Sequence, residues 1–558
     1  MYPSKGGPRP QGLTVEQAMR TMQEKGVPVW AKVDRLERAR LLRECVQGVL
    51  EHADAAAATS IAESKGGYES GASEEYACFC SAVMAMTTLA GICEQGGVPR
   101  DLPQLTHSLT GQRVVEVYPY ASTDKLLFPG HVGDVWIREG EEPAQNDIYA
   151  LPLEEMPEVK TSLVLGAGNQ VNVVIEDVLY KLFHDNQTVV VKMNPVNEYY
   201  RPYLEKMLRP LVDIGVLAFV YGGAEEGQCL CNHRHVDNVH ITGSGATFDA
   251  IVWQGQPKQG TPPFQKAIGG ELGNKTPYII CPGEWSEADM DYHVRQMVTG
   301  KVNNSGHNCV ALEVIVTSKD WPQREQFLDK LRHHLAKTHN RANYYPGSAE
   351  RRERFMRTYP DCEVFKNGAG GDPWLLATGC DPDTMEKSFE RWAGVLTEVA
   401  LPGKTPAEFL PAATRFCNDE LFGTLGCSLF IDDAARRAHN KDFKQAVRDL
   451  KYGTVNVNLA PLLSFAIYQL PWGSYNGTGD LRDIGSGNCF VHNGFMFSNA
   501  EKGVLYAPWR PAVYQPWGHD HKNGEELNSN IPQVLGEPQP AGAAPVPPVR
   551  HPVGPFLI

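Results

Sequence analysis

The sequence lacks any run of 18 or more apolar residues, so no membrane-spanning helix is expected in its 558 residues. The first residues, Met1-Tyr2-Pro3-Ser4-Lys5-Gly6-Gly7, also lack the apolar core of a secretory signal. Internal repeats are absent, which argues against a repeat architecture. These absences predict a globular protein of the cytoplasm without a membrane span.

Positive charge is in deficit, since 52 Lys and Arg oppose 66 Asp and Glu and leave a net charge of -14. This balance argues against nucleic acid or an anionic membrane as the main partner. The 13 cysteines have no framework spacing, and an odd number in such a protein indicates reduced cytoplasmic thiols. Alternation of Cys229, Cys231, His233 and His235 suggests a strand face, but zinc sites usually show CxxC or HxxxH spacing, so no metal site is expected.

The middle of the chain has the pattern of a parallel sheet with covering helices. Its hydrophobic content of 42% is typical of a globular protein with a large core. Helical periodicity covers residues 14–89. Four strand-like runs then alternate with turns and helix-like runs, at residues 159–165, 188–192, 217–221 and 236–241. In such sheets ligands bind at the carboxyl ends of the strands.

One loop, Asn303-Asn304-Ser305-Gly306-His307-Asn308-Cys309, separates a helix-like run at 290–302 from a strand-like run at 311–316. A cysteine held between such elements can direct its sulfur into a cleft, where a nucleophilic thiol belongs. The ordinary alternative for any single cysteine is a small buried core residue. The case for Cys309 therefore depends on other motifs in the chain.

Four motifs precede this loop at predicted strand ends or in glycine-rich turns. Free N–H groups at a helix start favour a phosphate. Each motif alone has an ordinary explanation, such as a helix cap or a solvated strand end, but their order before a loop cysteine is hard to obtain by chance. They are Gly166-Ala167-Gly168-Asn169, Val190-Val191-Lys192, Ile241-Thr242-Gly243-Ser244 and Gly270-Glu271-Leu272-Gly273.

With these motifs the sequence resembles the aldehyde dehydrogenase superfamily over about residues 14–510, most clearly from 163 to 316. The Gly-Ala-Gly-Asn form of the Asn169 motif differs from the common Pro-Trp-Asn form and indicates a divergent subfamily. The remaining family motifs resemble Glu271-Leu272-Gly273-Asn274-Lys275-Thr276-Pro277, Gly306-His307-Asn308-Cys309, Thr397-Glu398-Val399-Ala400-Leu401-Pro402 and Pro471-Trp472-Gly473-Ser474.

The resemblance implies NAD(P)-dependent oxidation of a small-molecule aldehyde to a carboxylic acid. Cys309 would form a thiohemiacetal and then a thioester, and Glu271 would activate the water that releases the acid. The Asn169 side chain and the Cys309 backbone N–H would bind the oxyanion. The implied cofactor contacts are Lys192 with the adenosine ribose, Ser244 with the pyrophosphate, Glu398 with the nicotinamide ribose, and also Gly168, Gly243 and Leu272.

Three departures from the family pattern bear on these roles. Pro195 replaces a glutamate found three residues after the lysine in many NAD-selective members, which leaves both NAD and NADP open because repulsion of a 2′-phosphate is lost. Ala400 replaces the aromatic residue two positions after the later glutamate. His307 replaces a common glutamine, and we interpret it as a residue that lines the loop.

The expected fold class is α/β, with a Rossmann-like parallel-sheet cofactor domain, an α/β catalytic domain and a small β oligomerisation extension. A homodimer or homotetramer is expected, because relatives pair their sheet edges. The predicted divisions are a disordered segment at 1–13, a cofactor domain at 14–270 that includes part of the extension near 113–158, a catalytic domain at 271–470, a C-terminal segment at 471–515 and a Pro-rich tail at 516–558.

Two alternative functions stay open at this stage. A CoA-linked acylating aldehyde dehydrogenase or acyl-CoA reductase would use the same thioester, but thiolysis does not need the base that Glu271 offers to hydrolysis. A non-catalytic relative would be expected to lack Cys309, Glu271 or Asn169, which are all present. The aldehyde itself is not specified, although the aromatic residues Phe465, Tyr468 and Trp472 suggest an apolar tunnel.

Overall fold

The computed structural model describes residues 12–64, 71–368, 370–475, 480–511 and 518–521, together with 526, 529–532 and 536. Most of the predicted disordered segment at 1–13 and most of the Pro-rich tail at 516–558 lie outside these described residues. All 13 cysteines lie within them as free thiols.

The chain begins with a helical layer. Thr14 starts the first helix with a capping box, and Asp34 caps the third through the Glu37 N–H. A π-helical turn at Met22–Gly26 continues the first helix. The helices are α1 (Val15–Thr21), α2 (Val27–Trp30), α3 (Arg35–Glu63) and α4 (Gly71–Gln95).

Helix α4 is the one helix among the described residues that is long and apolar enough to cross a membrane, and 72% of its most apolar window is buried inside the protein. It packs against α3. Length and composition alone are weak evidence for a membrane span, because a mostly buried core helix passes the same test.

An antiparallel β-meander follows the helical layer. Its strands are β1 (Gln104–Thr106), β2 (Arg113–Tyr118) and β3 (Val132–Ile137), and the helix α5 (Ser122–Leu127) joins the last two. A 3₁₀ turn at Leu153–Glu155 leads onward.

The next five strands form a sheet of their own in which every pair is parallel, in the order β6-β5-β4-β7-β8. Their near-continuous apolar sequences match strands that are covered on both faces. The strands are β4 (Lys160–Leu165), β5 (Gln187–Lys192), β6 (Leu217–Val220), β7 (Asn238–Thr242) and β8 (Ala267–Glu271). The connecting helices are α6 (Val171–Leu179, continued by a π turn at Tyr180–His184), α7 (Arg201–Met207, after a 3₁₀ turn at Glu198–Tyr200), α8 (Arg209–Asp213), α9 (Ala224–Asn232) and α10 (Gly245–Val252).

The rest of the chain builds a larger sheet. Its strands are β9 (Pro277–Ile280), β10 (Val314–Ser318), β11 (Glu363–Phe365), β12 (Trp374–Cys380), β13 (Val395–Leu401), β14 (Gly426–Phe430) and β15 (Thr454–Val457). The helices are α11 (Glu287–Val302), α12 (Arg324–Lys337), α13 (Ser348–Thr358), α14 (Pro406–Asp419), α15 (Asp433–Ala438), α16 (Asn440–Asp449) and α17 (Leu462–Ala466), with a 3₁₀ turn at Asn303–Gly306. A short ribbon of β16 (Trp472–Gly473) and β17 (Phe490–His492) precedes β18 (Ala500–Tyr506).

The larger sheet has the order β1-β2-β3-β18-β15-β14-β9-β10-β13-β12-β11. Its strands from β18 to β12 are parallel, whereas the meander and β11 join it in antiparallel fashion. The predicted α/β class is confirmed, and the larger sheet is also parallel over most of its width. The chain passes from the small sheet to the large one just after Glu271, so this residue lies where the sheets meet.

The segment that was expected to connect to the next strand contains a helix. Cys229 and Cys231 lie on helix α9, and a strand face shared with His233 and His235 does not form. The preceding Gly222 has a φ of 150° and the Glu226 side chain accepts a hydrogen bond from the Gly223 N–H, which starts a helix at this point.

Candidate active site

The cysteine loop has an unusual backbone that turns the chain sharply after α11. Asn304, Ser305 and Gly306 are three consecutive residues in the left-handed region, with φ values of 50°, 57° and 80°. For the first two, which carry side chains, such a conformation costs on the order of 1–3 kcal/mol each and persists only where contacts hold it. At Gly306 a Cβ would also approach the Ala393 carbonyl oxygen to 3.0 Å, so glycine fits on two grounds.

The contacts that hold this loop converge on Asn304, which the sequence analysis did not single out. Its side-chain amide donates to the carbonyl oxygens of Asn169 and His307, at 3.1 Å each. Its Oδ1 accepts from the Tyr344 hydroxyl at 2.9 Å, and its backbone N–H donates to Glu74. Asn304 thus ties the cysteine loop directly to the Asn169 turn.

Asn169 lies between β4 and α6, and its amide nitrogen donates to the His307 carbonyl at 3.1 Å. That bond uses one of the two N–H groups of the amide and fixes the plane of the side chain. At Gly168 a Cβ would lie 2.7 Å from the Asn194 side chain, so the turn requires a glycine there. Loop and turn are therefore built as one rigid unit.

A cleft of about 690 Å³ opens at the carboxyl ends of the small sheet. Lys192, Gly243 and Ser244 all line it, as expected from the sequence. Ser244 caps α10 by accepting from the Thr247 N–H, so a helix N-terminus faces the cleft. Among the described lining residues there is no Asp or Glu, whereas Lys192 and Arg351 are cationic. The cleft is suited to an anionic ligand.

An apolar tunnel of about 100 Å³ lies on the opposite side of Asn169 and Cys309. Phe465 and Trp472 line it, together with residues of α4, which explains why that helix is so apolar. Tyr468 is buried beside His492, with a ring separation of 5.0 Å, and does not line the tunnel.

A central cavity of about 200 Å³ joins the cleft to the tunnel. It shares Gly243 and Ser244 with the cleft and Asn169 and Cys309 with the tunnel. Its other lining residues include three that were predicted from the sequence, namely Gly168, Glu271 and Leu272. The structure therefore places Cys309 where a ligand in the cleft and one in the tunnel would meet.

Glu271 is the buried acid of this cavity, with 2% of its surface exposed. Burial raises the pKa of its carboxyl to about 7, the nearby Asp177 adds to the rise, and the Cys309 and Trp472 side chains offset part of it. Its Oε1 has no hydrogen-bond partner among the described residues. A carboxyl with a pKa near neutrality and a free oxygen can both accept and release a proton.

The Cys309 thiol is neutral in this setting. Burial raises the pKa of the thiol well above its ordinary value, and the carboxylates of Glu271 and Glu390 raise it further. The thiol can react as a nucleophile only when a base removes its proton. Glu271 lines the same cavity and is the base at hand.

The expectation for Glu398 is wrong. Glu398 lies in the middle of β13, is fully buried and is bound to Arg324 at 2.7 Å and to the Gly379 N–H at 2.8 Å. Its register partner is Ile315 on β10, so its carboxylate is committed to the interior of the large sheet. It contacts neither the cleft nor the central cavity.

Glu390 and Trp392 are the acid and the aromatic residue that the structure brings to the site instead. Both line the central cavity, and Glu390 accepts from the Asn274 N–H at 3.3 Å. The spacing of an acid and an aromatic residue two positions later, sought at Glu398 and Ala400, is present eight residues earlier. That spacing was the signal in the sequence that would have found them.

His307 faces away from the cleft, in agreement with its interpretation as a loop-lining residue. It is fully buried, and its ring nitrogens lie 3.2 Å from the Asn304 carbonyl oxygen and 2.8 Å from the Ser348 hydroxyl. Its ring packs on Tyr345 and Trp392. His307 thus supports the cavity wall from behind.

Comparison with known proteins finds similarity to aldehyde dehydrogenases. The aldehyde dehydrogenase family profile matches residues 171–343. D-glyceraldehyde dehydrogenase (NADP(+)) of Thermoplasma acidophilum is 31% identical over 118 residues, which are 21% of this chain and 22% of that protein. Human 4-trimethylaminobutyraldehyde dehydrogenase is 27% identical over 302 residues, 49% of this chain and 54% of that protein. The aligned part of the chain thus spans about half or less of these relatives.

Solved structures of the same fold cover more of the chain. A Staphylococcus aureus betaine aldehyde dehydrogenase in complex with NAD+ has a TM-score of 0.60 at 16% identity, over 89% of this chain and 88% of that one. A Pseudomonas syringae aldehyde dehydrogenase complexed with NAD+ and octanal has a TM-score of 0.60 at 15% identity, over 89% and 90%. Residues 171–343 thus match the aldehyde dehydrogenase family profile, and the chain shares the fold of solved aldehyde dehydrogenases over most of its length.

Proposed function

We propose that this protein oxidises an aldehyde to a carboxylic acid with NAD or NADP, through a thioester on Cys309. The observation that supports this most directly is the position of Cys309 at the junction of a cleft for an anionic ligand and an apolar tunnel. Asn169 and Glu271 line the same junction, so a nucleophile, a hydrogen-bond donor and a base converge on one point.

The first step is addition of sulfur to the carbonyl carbon. Glu271 takes the Cys309 proton, and the sulfur forms a bond to an aldehyde that reaches it through the tunnel. The carbonyl oxygen becomes an oxyanion, which Asn169 and the Cys309 backbone N–H stabilise. Because the His307 carbonyl already accepts from the Asn169 side-chain amide, and the Asn304 amide donates to the Asn169 backbone carbonyl, little reorganisation is needed when charge develops.

The residues of the cleft fit a dinucleotide. The lining residues that the structure describes include no carboxylate and two cationic side chains. Together with the exposed N-terminus of α10 they suit the phosphates of a dinucleotide, and the glycines leave room for close approach. Lys192 and Ser244 would hold the adenosine ribose and the pyrophosphate, while Glu390 would hold the second ribose, in the central cavity. When bound, NAD or NADP supplies the acceptor for the hydride that leaves the carbon.

The second step releases the product. Glu271, now free of the proton by exchange with solvent, takes a proton from a water molecule that attacks the thioester carbonyl. The acid leaves and the Cys309 thiol is restored. A pKa near 7 allows Glu271 to act as a base at physiological pH in both steps.

NADP is proposed to bind at least as well as NAD. Pro195 lines the cleft three residues beyond Lys192, where a carboxylate would repel a 2′-phosphate. No Asp or Glu among the described lining residues of the cleft substitutes for that carboxylate. The relative from Thermoplasma acidophilum is named as an NADP(+) enzyme, which agrees with this proposal.

The test is turnover of an aldehyde panel with NAD and NADP in parallel, followed by the absorbance of the reduced nicotinamide. The panel should contain straight-chain apolar, hydroxylated and trimethylammonium-bearing aldehydes. Cys309→Ala is expected to abolish turnover, whereas the control Cys362→Ser, at a partly exposed cysteine outside the cleft, should retain it. Turnover that survives Cys309→Ala would refute the proposal, as would a lack of turnover with every aldehyde despite cofactor binding.

Product analysis with and without CoA separates hydrolysis from thiolysis. Acid formed without CoA supports the role of Glu271 as the base for water. If acyl-CoA is the product and none forms without CoA, the proposed hydrolysis is wrong and the CoA-linked reaction replaces it.

A further inference from the structure

A second cysteine is paired with a histidine and an aspartate outside the central cavity. Cys489 precedes β17, and its Sγ lies 3.6 Å from Nδ1 of His240 on β7. The other ring nitrogen of His240, Nε2, lies 2.9 Å from Asp177 Oδ1 on α6. The Thr242 hydroxyl donates to the second oxygen of Asp177 at 3.0 Å. Three elements distant in sequence thus assemble a Cys-His-Asp arrangement.

Each of the three residues has a defined role in this arrangement. Asp177 and His240 are fully buried, and a buried charge in a protein is normally paired. Burial lowers the pKa of His240, but the charges of Asp177 and Cys489 and their hydrogen bonds outweigh it and raise the pKa to about 10. At neutral pH the imidazole is therefore a cation, held by Asp177 on one side and facing sulfur on the other. A cation at this distance stabilises a thiolate.

Cys489 differs from most other cysteines in combining this partner with access to solvent. It is partly exposed, whereas Cys45, Cys93 and Cys427 are buried. The sulfur lies close to Gly269, where a Cβ would approach it to 3.0 Å. Gly269 also lines a surface cavity of about 350 Å³ together with Lys181. A small polar oxidant can therefore reach the neighbourhood of the sulfur without passing through the active-site tunnel.

We propose that Cys489, His240 and Asp177 form a second thiol site, in which the Cys489 sulfur is reversibly oxidised by hydrogen peroxide. The thiolate sulfur attacks one peroxide oxygen, so an S–O bond forms and the O–O bond breaks. Sulfur is oxidised to sulfenic acid, the other oxygen leaves as hydroxide, and hydroxide takes a proton from solvent to become water. A small thiol reverses the change by forming a mixed disulfide with release of water, and a second thiol then frees Cys489.

The experiment uses the full reduced chain, a low concentration of hydrogen peroxide and a dimedone-type trap for sulfenic acid, with labelled peptides quantified by mass spectrometry. Cys362 is the matched control, because it is also partly exposed but burial raises the pKa of its thiol. Cys489 is expected to be labelled at least about tenfold faster than Cys362. Equal rates for the two cysteines would overturn the proposal.

His240→Gln tests the activating partner, because glutamine can occupy the site without a positive charge. The Cys489 rate is expected to fall to that of Cys362, while the rate at Cys362 stays constant. A folded variant, verified by circular dichroism, that keeps the wild-type rate at Cys489 would refute the assignment of His240.

A measurement on the unaltered protein covers the case in which that variant does not fold. Alkylation by iodoacetamide at pH 7 should be at least about tenfold faster at Cys489 than at Cys362, because a neighbouring cation favours the thiolate. Besides His240 and Asp177, the ionisable groups that act on Cys489 are Tyr180 and Lys181. Equal alkylation rates at the two cysteines would contradict the proposal.

Discussion

Replacing Glu271 by glutamine is expected to stabilise the protein, by an amount that depends on pH. The carboxyl is buried, and one of its oxygens has no hydrogen-bond partner among the described residues. Burial and the charge of Asp177 raise its pKa from 4.5 to about 7. Glutamine keeps the shape of the side chain and removes the charge, so the variant avoids the cost of burying a carboxylate.

The rise in the pKa of Glu271 sets the size of the expected difference in unfolding free energy. A rise from 4.5 to about 7 at 1.36 kcal/mol per unit means that a charged Glu271 costs the folded state about 3 kcal/mol. Between these two values the folded protein retains the proton and the unfolded chain releases it, so wild-type stability falls as pH rises through this window. The cost is about 1 kcal/mol at pH 5 and is almost complete, at about 3 kcal/mol, at pH 8.

Unfolding by urea at pH 5, 6, 7 and 8 measures this difference. The gap in unfolding free energy between Glu271→Gln and wild type should widen by about 2 kcal/mol from pH 5 to pH 8. Glu158→Gln, at an exposed glutamate, is the control and should show no such widening. A gap that is constant with pH, or a variant that is less stable than wild type at pH 8, would refute the reasoning, because the carboxylate would then be stabilised in the fold.

Three further predictions concern turnover. Asn169→Ala is expected to lower kcat by about 10²–10³ with little change in the aldehyde KM, and an unchanged kcat in steady-state assays would exclude its oxyanion role. Glu390→Gln should raise the KM for the cofactor while Glu398→Gln leaves it unchanged, and the opposite pattern would restore the assignment of Glu398. Pro195→Glu should raise the KM for NADP about tenfold more than that for NAD, and equal effects would mean that the 2′-phosphate binds elsewhere.

The three proposed catalytic residues could be predicted from the sequence because each lies within a compact local motif. Asn169 follows a strand and opens a helix, Glu271 ends a strand, and Cys309 follows a helix and a turn. Such transitions show in the apolar periodicity of the chain itself. The parallel order of the small sheet follows from the same alternation of strands and helices.

Glu390 was missed because the choice between it and Glu398 depends on the register of β13, which is a non-local property. Glu390 precedes the start of β13 at Val395 and Glu398 follows it. Both glutamates have acidic and apolar neighbours in the sequence. Only the pairing of Glu398 with Ile315 on β10 shows that its side chain is committed to Arg324. Asn304 was missed for a related reason, since its partners Asn169 and Tyr344 come from distant parts of the chain.

Cys309 and Glu271 cannot be treated as separate catalytic units. Glu271 raises the pKa of the Cys309 thiol, whereas the hydrogen bond with the thiol lowers the pKa of Glu271, and Glu390 adds a third acid to the same cavity. Each further negative charge in this cavity therefore costs more free energy than the one before. The proton that leaves Cys309 goes most readily to the Glu271 carboxyl, which has a pKa near 7. Loss of Glu271 should then slow formation of the thioester as well as its hydrolysis. A CoA-linked enzyme with this cavity would need Glu271 too, so the identity of the product, and not the effect of a Glu271 variant, decides which nucleophile resolves the thioester.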